Sequence, residues 1–314
     1  MLMVSGTTAV SQAGKKEELL SKVPPGVGNE QIQWIWTGIS LELEQYVVAS
    51  LCGLNSSFCA FRYVLLSDIR VLRRHPSSDG WAQVHSRRES LQSRIEAFNQ
   101  RALQFVQSDM ASAVHSSLNR APEALTIDLD DSDEEAFFID TGPEWEDEGD
   151  AEIPAERLDV WLPSSFTEAE RGHMGFGQVA DVEAELREGQ ANDALEALRA
   201  GLAEKSLRFR TEVKPAKSQK TMTRAWDSIH KADKQVRGAV QCYRLARSAL
   251  EGLGASKELL HRFQEIQKKD LKMSRDIVEE NRVGQRSSEL PWFWRLDRRL
   301  DEDRGEFLKE CECH

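Results

Sequence analysis

Apolar residues recur at every third or fourth position through much of the second half of the chain. One such face begins near Asp181 and consists of Leu186, Ala191, Leu195, Leu198, Leu202 and Phe209. A second face runs from Trp226 to Leu253, before the "GLGAS" segment, through Ile229, Val236, Val240, Tyr243 and Leu250. This period is that of an amphipathic α-helix, and no convincing alternating strand is present. The sequence therefore predicts an all-α fold, a helical bundle with long antiparallel helices.

Local signals predict where the other helices of this half begin and end. Thr167 and Glu170 have the spacing of a capping box, so a helix is expected to start there, although nearby glycines weaken it. Ser256 is expected to cap a further helix, which ends at "NRVGQR". The apolar residues of that helix are Leu260, Phe263, Ile266, Leu271 and Met273. The aromatic block "LPWFWRLDRRL" is expected to pack on the bundle through Trp292 and Trp294.

Composition divides the chain into segments. The leader is rich in Gly, Ser and Lys, and the acidic linker has too little apolar surface to fold alone, so both are expected to be disordered. Within the helical hairpin, "YVVASLCGLNSSFCAF" is shorter than the ~20 residues that a membrane span requires. The expected segments are a leader (1–30), a helical hairpin (31–110) with a candidate insertion near 46–66, an acidic linker (111–157), the helical bundle (158–305) and a frayed tail (306–314).

The net charge of -12 conceals two regions of opposite sign. From Asp128 to Asp159 there are fifteen Asp and Glu against one Arg. From Lys205 to Arg247 there are twelve Lys and Arg against three acids. Such asymmetry is typical of an acidic segment beside a surface that binds polyanions. The alternatives are that both regions are solvated surface, or that the basic region pairs with the acidic linker of the same chain.

Enzyme signatures are missing from the sequence. No GxSxG, HExxH, P-loop or GxGxxG motif occurs, and the densest carboxylates lie in the acidic linker, which lacks the rigid scaffold that acid–base catalysis needs. The five cysteines show no framework spacing, which favours a reduced intracellular setting. Cys311, Cys313 and His314 are zinc-ligand types, but their spacing at a chain end is a poor start to a tetrahedral site, so no metal site is predicted.

The stretch "RTEVKPAKSQKTMTRAWDSIH", residues 210–230, surrounds Pro215 with basic and hydroxyl side chains just before a helix. Lysines and hydroxyl groups near a helix N-terminus make a reasonable site for a phosphate backbone, with contacts that do not depend on base sequence. His230 is interpreted as a surface residue rather than a catalytic base. The candidate DNA-binding residues are Arg208, Arg210, Lys214, Lys217, Lys220, Arg224, Lys231, Lys234 and Arg237.

A third pattern, "TIDLDDSDEEAFFIDT" at 126–141, lies in the acidic linker. Its short apolar core followed by acids resembles a SUMO-interacting motif, in which a disordered strand adds to a sheet edge. Ser132 before Asp-Glu-Glu also resembles an acidophilic kinase site. A plain solvating linker is the alternative. The candidate SUMO-interacting residues are Ile127, Asp128, Leu129, Asp130 and Asp131.

Longer stretches carry a resemblance to a known family. "GQANDAL", "VKPAKSQKTMTRAW" and "GQRSSELPW", with "VWLPSSF" upstream, closely resemble the C-terminal region of Kyakuja–Dileera–Zisupton (KDZ) transposases, the CxC cysteine-cluster KDZ transposase-associated family of basidiomycete fungi. "WIWTGISLELEQYVV" and "RRESLQSRIEAFNQRA" look like the helical stretch that precedes this region. The resemblance implies a nuclear location, with the cytoplasm as the alternative.

The same resemblance implies an RNase-H-like ancestor in which acidic residues hold Mg or Mn for strand cutting. The chain lacks the upstream half that carries the first catalytic acids and the family's cysteine cluster, and no catalytic residue is assigned, although Glu289 lies near the aromatic block. It is therefore expected to be a truncated or domesticated, non-catalytic protein that binds DNA independently of sequence. No cofactor is expected unless transposase activity is retained, and neither a membrane nor a small-molecule substrate is expected.

Two other readings stay open. A helical protein–protein interaction module would use the apolar stripe from Trp226 to Leu253, which needs a partner helix inside or outside the chain. The internal partner is the favoured choice. A decayed remnant without activity is the second reading.

Overall fold

The computed structural model describes residues 10–46, 77–105, 155, 158–271, 291–294 and 296. They belong to two compact units. The larger unit contains the described residues up to position 46 and those from 162 onward, and the smaller unit contains the described residues between 77 and 161. All regular structure in these residues is helical, so the all-α prediction is confirmed.

Seven α-helices occur in the described residues. The larger unit contains α1 (Gln12–Ser21), α2 (Asn29–Tyr46), α4 (Glu168–Met174), α5 (Gly177–Arg208), α6 (Gln219–Gly252) and α7 (Lys257–Arg262), and the smaller unit contains α3 (Ser78–Ala102). Short 3-10 turns lie at Pro163–Ser165, Lys268–Leu271 and Trp292–Trp294. Helix α3 begins at Ser78, where the Ser77 side chain caps it by accepting the Gly80 N–H, and it ends at Ala102.

Helices α5 and α6 form the long antiparallel pair of the bundle. Leu198 on α5 and Val240 and Tyr243 on α6 are fully buried in one apolar core. Gly201 lets the two helices approach closely, because a Cβ there would lie 3.0 Å from the Val236 side chain. The apolar stripe of α6 is thus covered by the chain's own α5, and the expectation of an internal partner helix is confirmed.

The aromatic block closes one end of this core. Phe293 is fully buried, and its carbonyl accepts a 3.1 Å hydrogen bond from Arg199 Nε. The ring of Trp292 lies 5.9 Å from that of Tyr243, whose hydroxyl donates to the Gln264 carbonyl at 2.6 Å. Trp292 and Trp294 pack against the α5–α6 core, as the sequence predicted.

The capping residues predicted the starts of these helices more accurately than their ends. The Thr167–Glu170 capping box is present at the start of α4, and Gly175, with φ of 75°, ends that helix. Ser256 caps α7 as predicted, but α7 ends at Arg262. Phe263 and Ile266 are buried beyond that end, in an irregular segment rather than in a longer helix. Met273 and "NRVGQR" lie outside the described residues.

The expected disordered leader is corrected in part, because residues 12–21 form α1 and this helix docks on α5. Gly189 allows the contact, since a Cβ there would lie 2.6 Å from the Gln12 Cα. The Asp193 carboxylate accepts the Gln12 N–H at 2.9 Å, and Asn192 Nδ2 donates to the Val10 carbonyl at 3.1 Å. The composition of 1–30 gave no sign of this, because only Leu19 of α1 is fully covered.

Gly189→Ala is expected to displace α1 while the α5–α6 core survives. The new Cβ meets backbone atoms of Gln12, which cannot move unless α1 moves. Overpacking of this kind typically costs about 1–3 kcal/mol, so protection of the α1 amides from hydrogen exchange should fall about fivefold or more. Gly172→Ala is the control, because no atom lies within 4 Å of a Cβ there. Unchanged protection of α1 in Gly189→Ala would contradict the docking contact.

Asp193→Asn is expected to stabilise the protein at pH 8. Burial raises the pKa of Asp193 to about 6, and the nearby Glu196 carboxylate adds to the rise. A carboxyl whose pKa is higher in the folded protein than in the unfolded chain destabilises the fold when it is ionised. The free energy of unfolding therefore increases as the pH falls through about 6 toward the pKa of the unfolded state. The advantage of the Asn variant in thermal unfolding should therefore shrink below pH ~6 and vanish near pH ~4. An advantage that grows on acidification would contradict this assignment.

Helix α2 packs on α5 and belongs to the larger unit, whereas α3 belongs to the smaller one. This differs from the expected hairpin of residues 31–110. Periodicity identified the two helices correctly, with Ile32, Ile35 and Ile39 fully buried on α2, but it carries no information about which helix each one contacts. The candidate insertion at 46–66 lies almost entirely outside the described residues.

A buried ionic cluster joins α2 to α5. The Arg187 guanidinium is fully buried, with Nη1 2.5 Å from Glu42 Oε2 and Nε 3.1 Å from Glu183 Oε1. Nη1 also donates to Gln190 Oε1 at 3.1 Å. Both Glu183 oxygens accept bonds from Ser164, at 2.8 Å from its N–H and 2.6 Å from its hydroxyl. The sequence analysis did not single out any of these residues.

In the smaller unit, Asn99 on α3 ties the helix to the segment before position 162. Its Nδ2 donates to the Asp159 carbonyl at 2.9 Å, and its Oδ1 accepts the Trp161 N–H at 3.0 Å. One side chain therefore satisfies two backbone groups of an extended segment.

Candidate nucleic-acid interface

The basic stretch forms the corner between α5 and α6. A single π-type turn, Phe209–Val213, follows α5 and is closed by the Lys214 N–H bonding to the Phe209 carbonyl at 3.0 Å. Pro215 cannot continue a helix, and the chain turns there. Ser218 then starts α6 with a capping box, accepting the Thr221 N–H while Thr221 Oγ1 accepts the Ser218 N–H. The expected helix start after Pro215 is thus present, and we call residues 208–237 the basic corner.

A small apolar cluster holds the basic corner in place. Val213, Ala225 and Ile229 are buried, and Phe209, Met222 and Trp226 pack against them. The rings of Phe209 and Trp226 meet edge to face, with centroids 6.5 Å apart. The turn between the helices is therefore anchored by side chains on both of its sides.

Six of the nine candidate residues have no acidic partner in the part of the chain that the structure describes. All are exposed except Arg210, which is half-buried. Exposed like charges that lack a counterion raise the local potential and attract polyanions. These six, which we call the unpaired cations, are Arg210, Lys214, Lys217, Lys220, Arg224 and Lys231.

The structure gives two of the other three candidates a partner within the protein. Arg208 Nη2 lies 2.5 Å from Glu204 Oε1, and its Nη1 bonds to the Ser228 hydroxyl. Arg237 lies 2.6 Å from Asp233. Lys234 is half-buried on the same helix. Arg208 thus bridges α5 and α6 through Ser228, whereas both ion pairs join residues four apart on one helix, a spacing that the sequence already shows.

Asp233 organises one side of this contact. Its Oδ1 accepts a 2.6 Å bond from Lys205 on α5, while its Oδ2 pairs with Arg237. Burial opposes ionisation of Asp233, but the Lys205 and Arg237 charges outweigh that effect and hold the pKa below its usual value. Asp233 therefore stays ionised at neutral pH and neutralises part of the basic corner.

Two exposed acids, Glu212 and Asp227, lie among the six unpaired cations, so the excess of positive charge persists. The first turn of α6 adds to it. The cap satisfies the Thr221 N–H, whereas the Gln219 and Lys220 N–H groups precede the first intrahelical bond and have no hydrogen-bond acceptor among the described residues. Such N–H groups and the helix dipole favour negative charge.

Other candidate sites lie outside the described residues: the SUMO-interacting candidate Ile127–Asp131, Glu289, and Cys311, Cys313 and His314. Among the residues that the structure covers, no three His, Cys, Asp or Glu side chains are grouped as a metal site requires. No helix in those same ranges is long and apolar enough to cross a membrane.

Comparison with known proteins gives the chain no relative: no family model, curated protein or solved structure matches it.

Proposed function

We propose that this chain binds DNA through its phosphate backbone at the basic corner, as a non-catalytic protein derived from a transposase. The observation that carries the proposal is the set of six unpaired cations around the start of α6. Lysine side chains and first-turn N–H groups are common phosphate ligands, and they contact every sequence equally. The resemblance of "VKPAKSQKTMTRAW" to KDZ transposases supports the same assignment, since it covers this corner.

The main argument for the interaction-module alternative no longer applies. Its argument was that the α6 stripe needs a partner helix, and α5 already covers that stripe. SUMO binding through Ile127–Asp131 stays a separate prediction.

Fluorescence anisotropy of a labelled duplex with the full chain, in a salt series from about 50 to about 200 mM, tests the proposal. Six phosphate contacts would give a slope of about −5 in log K against log salt, because each contact releases about 0.9 counterion. Duplexes of unrelated sequence should bind equally. Failure of a folded, helical chain to bind duplex even at the lowest salt would rule out the basic corner as a site for duplex DNA.

A further inference from the structure

Within the basic corner, α6 carries an aromatic pair that the backbone-binding function does not use. Trp226 and His230 are one turn apart, with ring centroids 6.3 Å apart and planes tilted by 38°. Trp226 is half-buried, with the edge of Phe209 behind it, whereas His230 is exposed. The indole ring is thus held by the apolar cluster, and the imidazole extends the aromatic surface into solvent.

The pair and the cations flank the same solvent-facing side of α6. At about 100° per residue, Trp226 and His230 form one edge of this side, and Lys220, Arg224 and Lys231 form the other, about a third of a turn away. The buried residues Ile229 and Val236 lie on the opposite side, against α5. Across a helix of about 10–12 Å diameter, the two edges are roughly 10 Å apart, within the reach of lysine and arginine side chains.

Asp227 lies between the two edges and is exposed. It lies closer to the cationic edge than to the aromatic edge, three residues from Arg224 and four from Lys231, so it lowers the positive charge of the cationic edge without cancelling it.

We propose that the preferred ligand of the basic corner is single-stranded nucleic acid, with its phosphates on the Lys220–Arg224–Lys231 edge and one unpaired base stacked on His230 and Trp226. This inference rests on the proposed function, because it assumes that the same corner binds phosphate. Proteins that bind single strands without sequence preference combine these two elements, a cationic track and aromatic platforms. In a duplex the bases are paired and stacked, so the aromatic edge gains nothing from them.

The test compares three ligands of roughly 20 nucleotides, longer than the site of a single binding fold. They are a mixed-sequence single strand, the corresponding duplex, and a strand of abasic residues with the same number of phosphates. The full chain should bind the base-bearing strand more tightly than the abasic one. Strands of DNA and RNA should behave alike, because every base has a π-face.

His230→Ala is the informative variant, because His230 is exposed and its loss leaves the core intact. Stacking of one base contributes about 1–3 kcal/mol, so affinity for the single strand should fall about fivefold or more while affinity for duplex and abasic strand stays unchanged. His230→Phe keeps a ring at the position and should retain single-strand affinity.

The outcomes separate the two proposals. Equal binding of abasic and base-bearing strands, or an equal effect of His230→Ala on strand and duplex, would overturn the stacking inference alone. Absence of binding to all three ligands would remove the DNA-binding proposal as well.

Discussion

Arg187→Met is expected to destabilise the protein by about 3–5 kcal/mol at pH 8, the usual cost of removing one partner of a buried ion pair. Arg187 and Glu183 are both fully buried, so the Glu183 carboxylate would keep its desolvation cost and lose its counterion. Glu42, with a fifth of its side chain exposed, can turn toward water, but Glu183 cannot. Urea unfolding followed by helical circular dichroism measures the loss.

Two further measurements distinguish the cost of leaving the buried Glu183 carboxylate unpaired from the cost of losing the Arg187 packing. Burial already raises the pKa of Glu183, against the opposing effects of Arg187 and the Ser164 hydrogen bonds. Without Arg187 the pKa rises further, so protonation stabilises the folded variant, and the deficit should shrink as the pH falls from 8 toward 5. The double variant Arg187→Met/Glu183→Gln should recover much of the loss, because the amide oxygen still accepts from Ser164. A deficit below about 1 kcal/mol, or a double variant no better than the single one, would show that the ion pair is not important.

The α5–α6 pair could be predicted because the residues that specify each helix and the turn lie close together in the sequence. Leu198, Val236 and Val240 repeat with the helical period, and Pro215 and Ser218 mark the turn between the helices. Each of these signals depends only on neighbours within a few positions along the chain. The helices predicted from about Asp181 and from Trp226 are therefore present as α5 and α6.

The buried ionic cluster could not be predicted in the same way. Glu183, Arg187 and Gln190 are spaced i, i+4 and i+7, which places them on one face of a helix. This spacing is a signal that sequence reasoning could have used. Exposed helix faces show the same spacing, however, and the partner that distinguishes the buried case, Glu42, lies 145 positions away. Docking of α1 on Gly189 is missed for the same reason, since the closeness of two helices is not visible in either one alone.

The candidate DNA site was predicted as a region but not as a set of residues. Charge density located the basic corner, but it takes no account of the i, i+4 spacing that pairs Arg237 with Asp233 and Arg208 with Glu204. The nine candidates are therefore not equivalent. Substitutions of Arg208 or Arg237 would perturb the helix pair as well as any binding, and informative variants have to come from the unpaired cations.

Replacement of Lys214, Lys217 and Lys220 together by alanine is expected to cause the largest loss of DNA affinity. All three are exposed around the start of α6 and make no ion pair in the described ranges, so their removal leaves the core and the capping box unchanged. If each contacts one phosphate, the salt slope should flatten by about three units, and affinity near 0.1 M salt should fall about 10²- to 10³-fold.

The matched control is the triple alanine variant of Lys257, Lys268 and Lys269, three exposed lysines outside the basic corner that change the net charge equally. A field effect of the whole protein would weaken binding alike in both variants, because it depends on total charge. Local phosphate contacts would leave the control close to the unsubstituted chain and flatten only the slope of the Lys214, Lys217 and Lys220 variant. Equal losses in the two variants would therefore show that the DNA does not lie at the start of α6, even if binding itself is real.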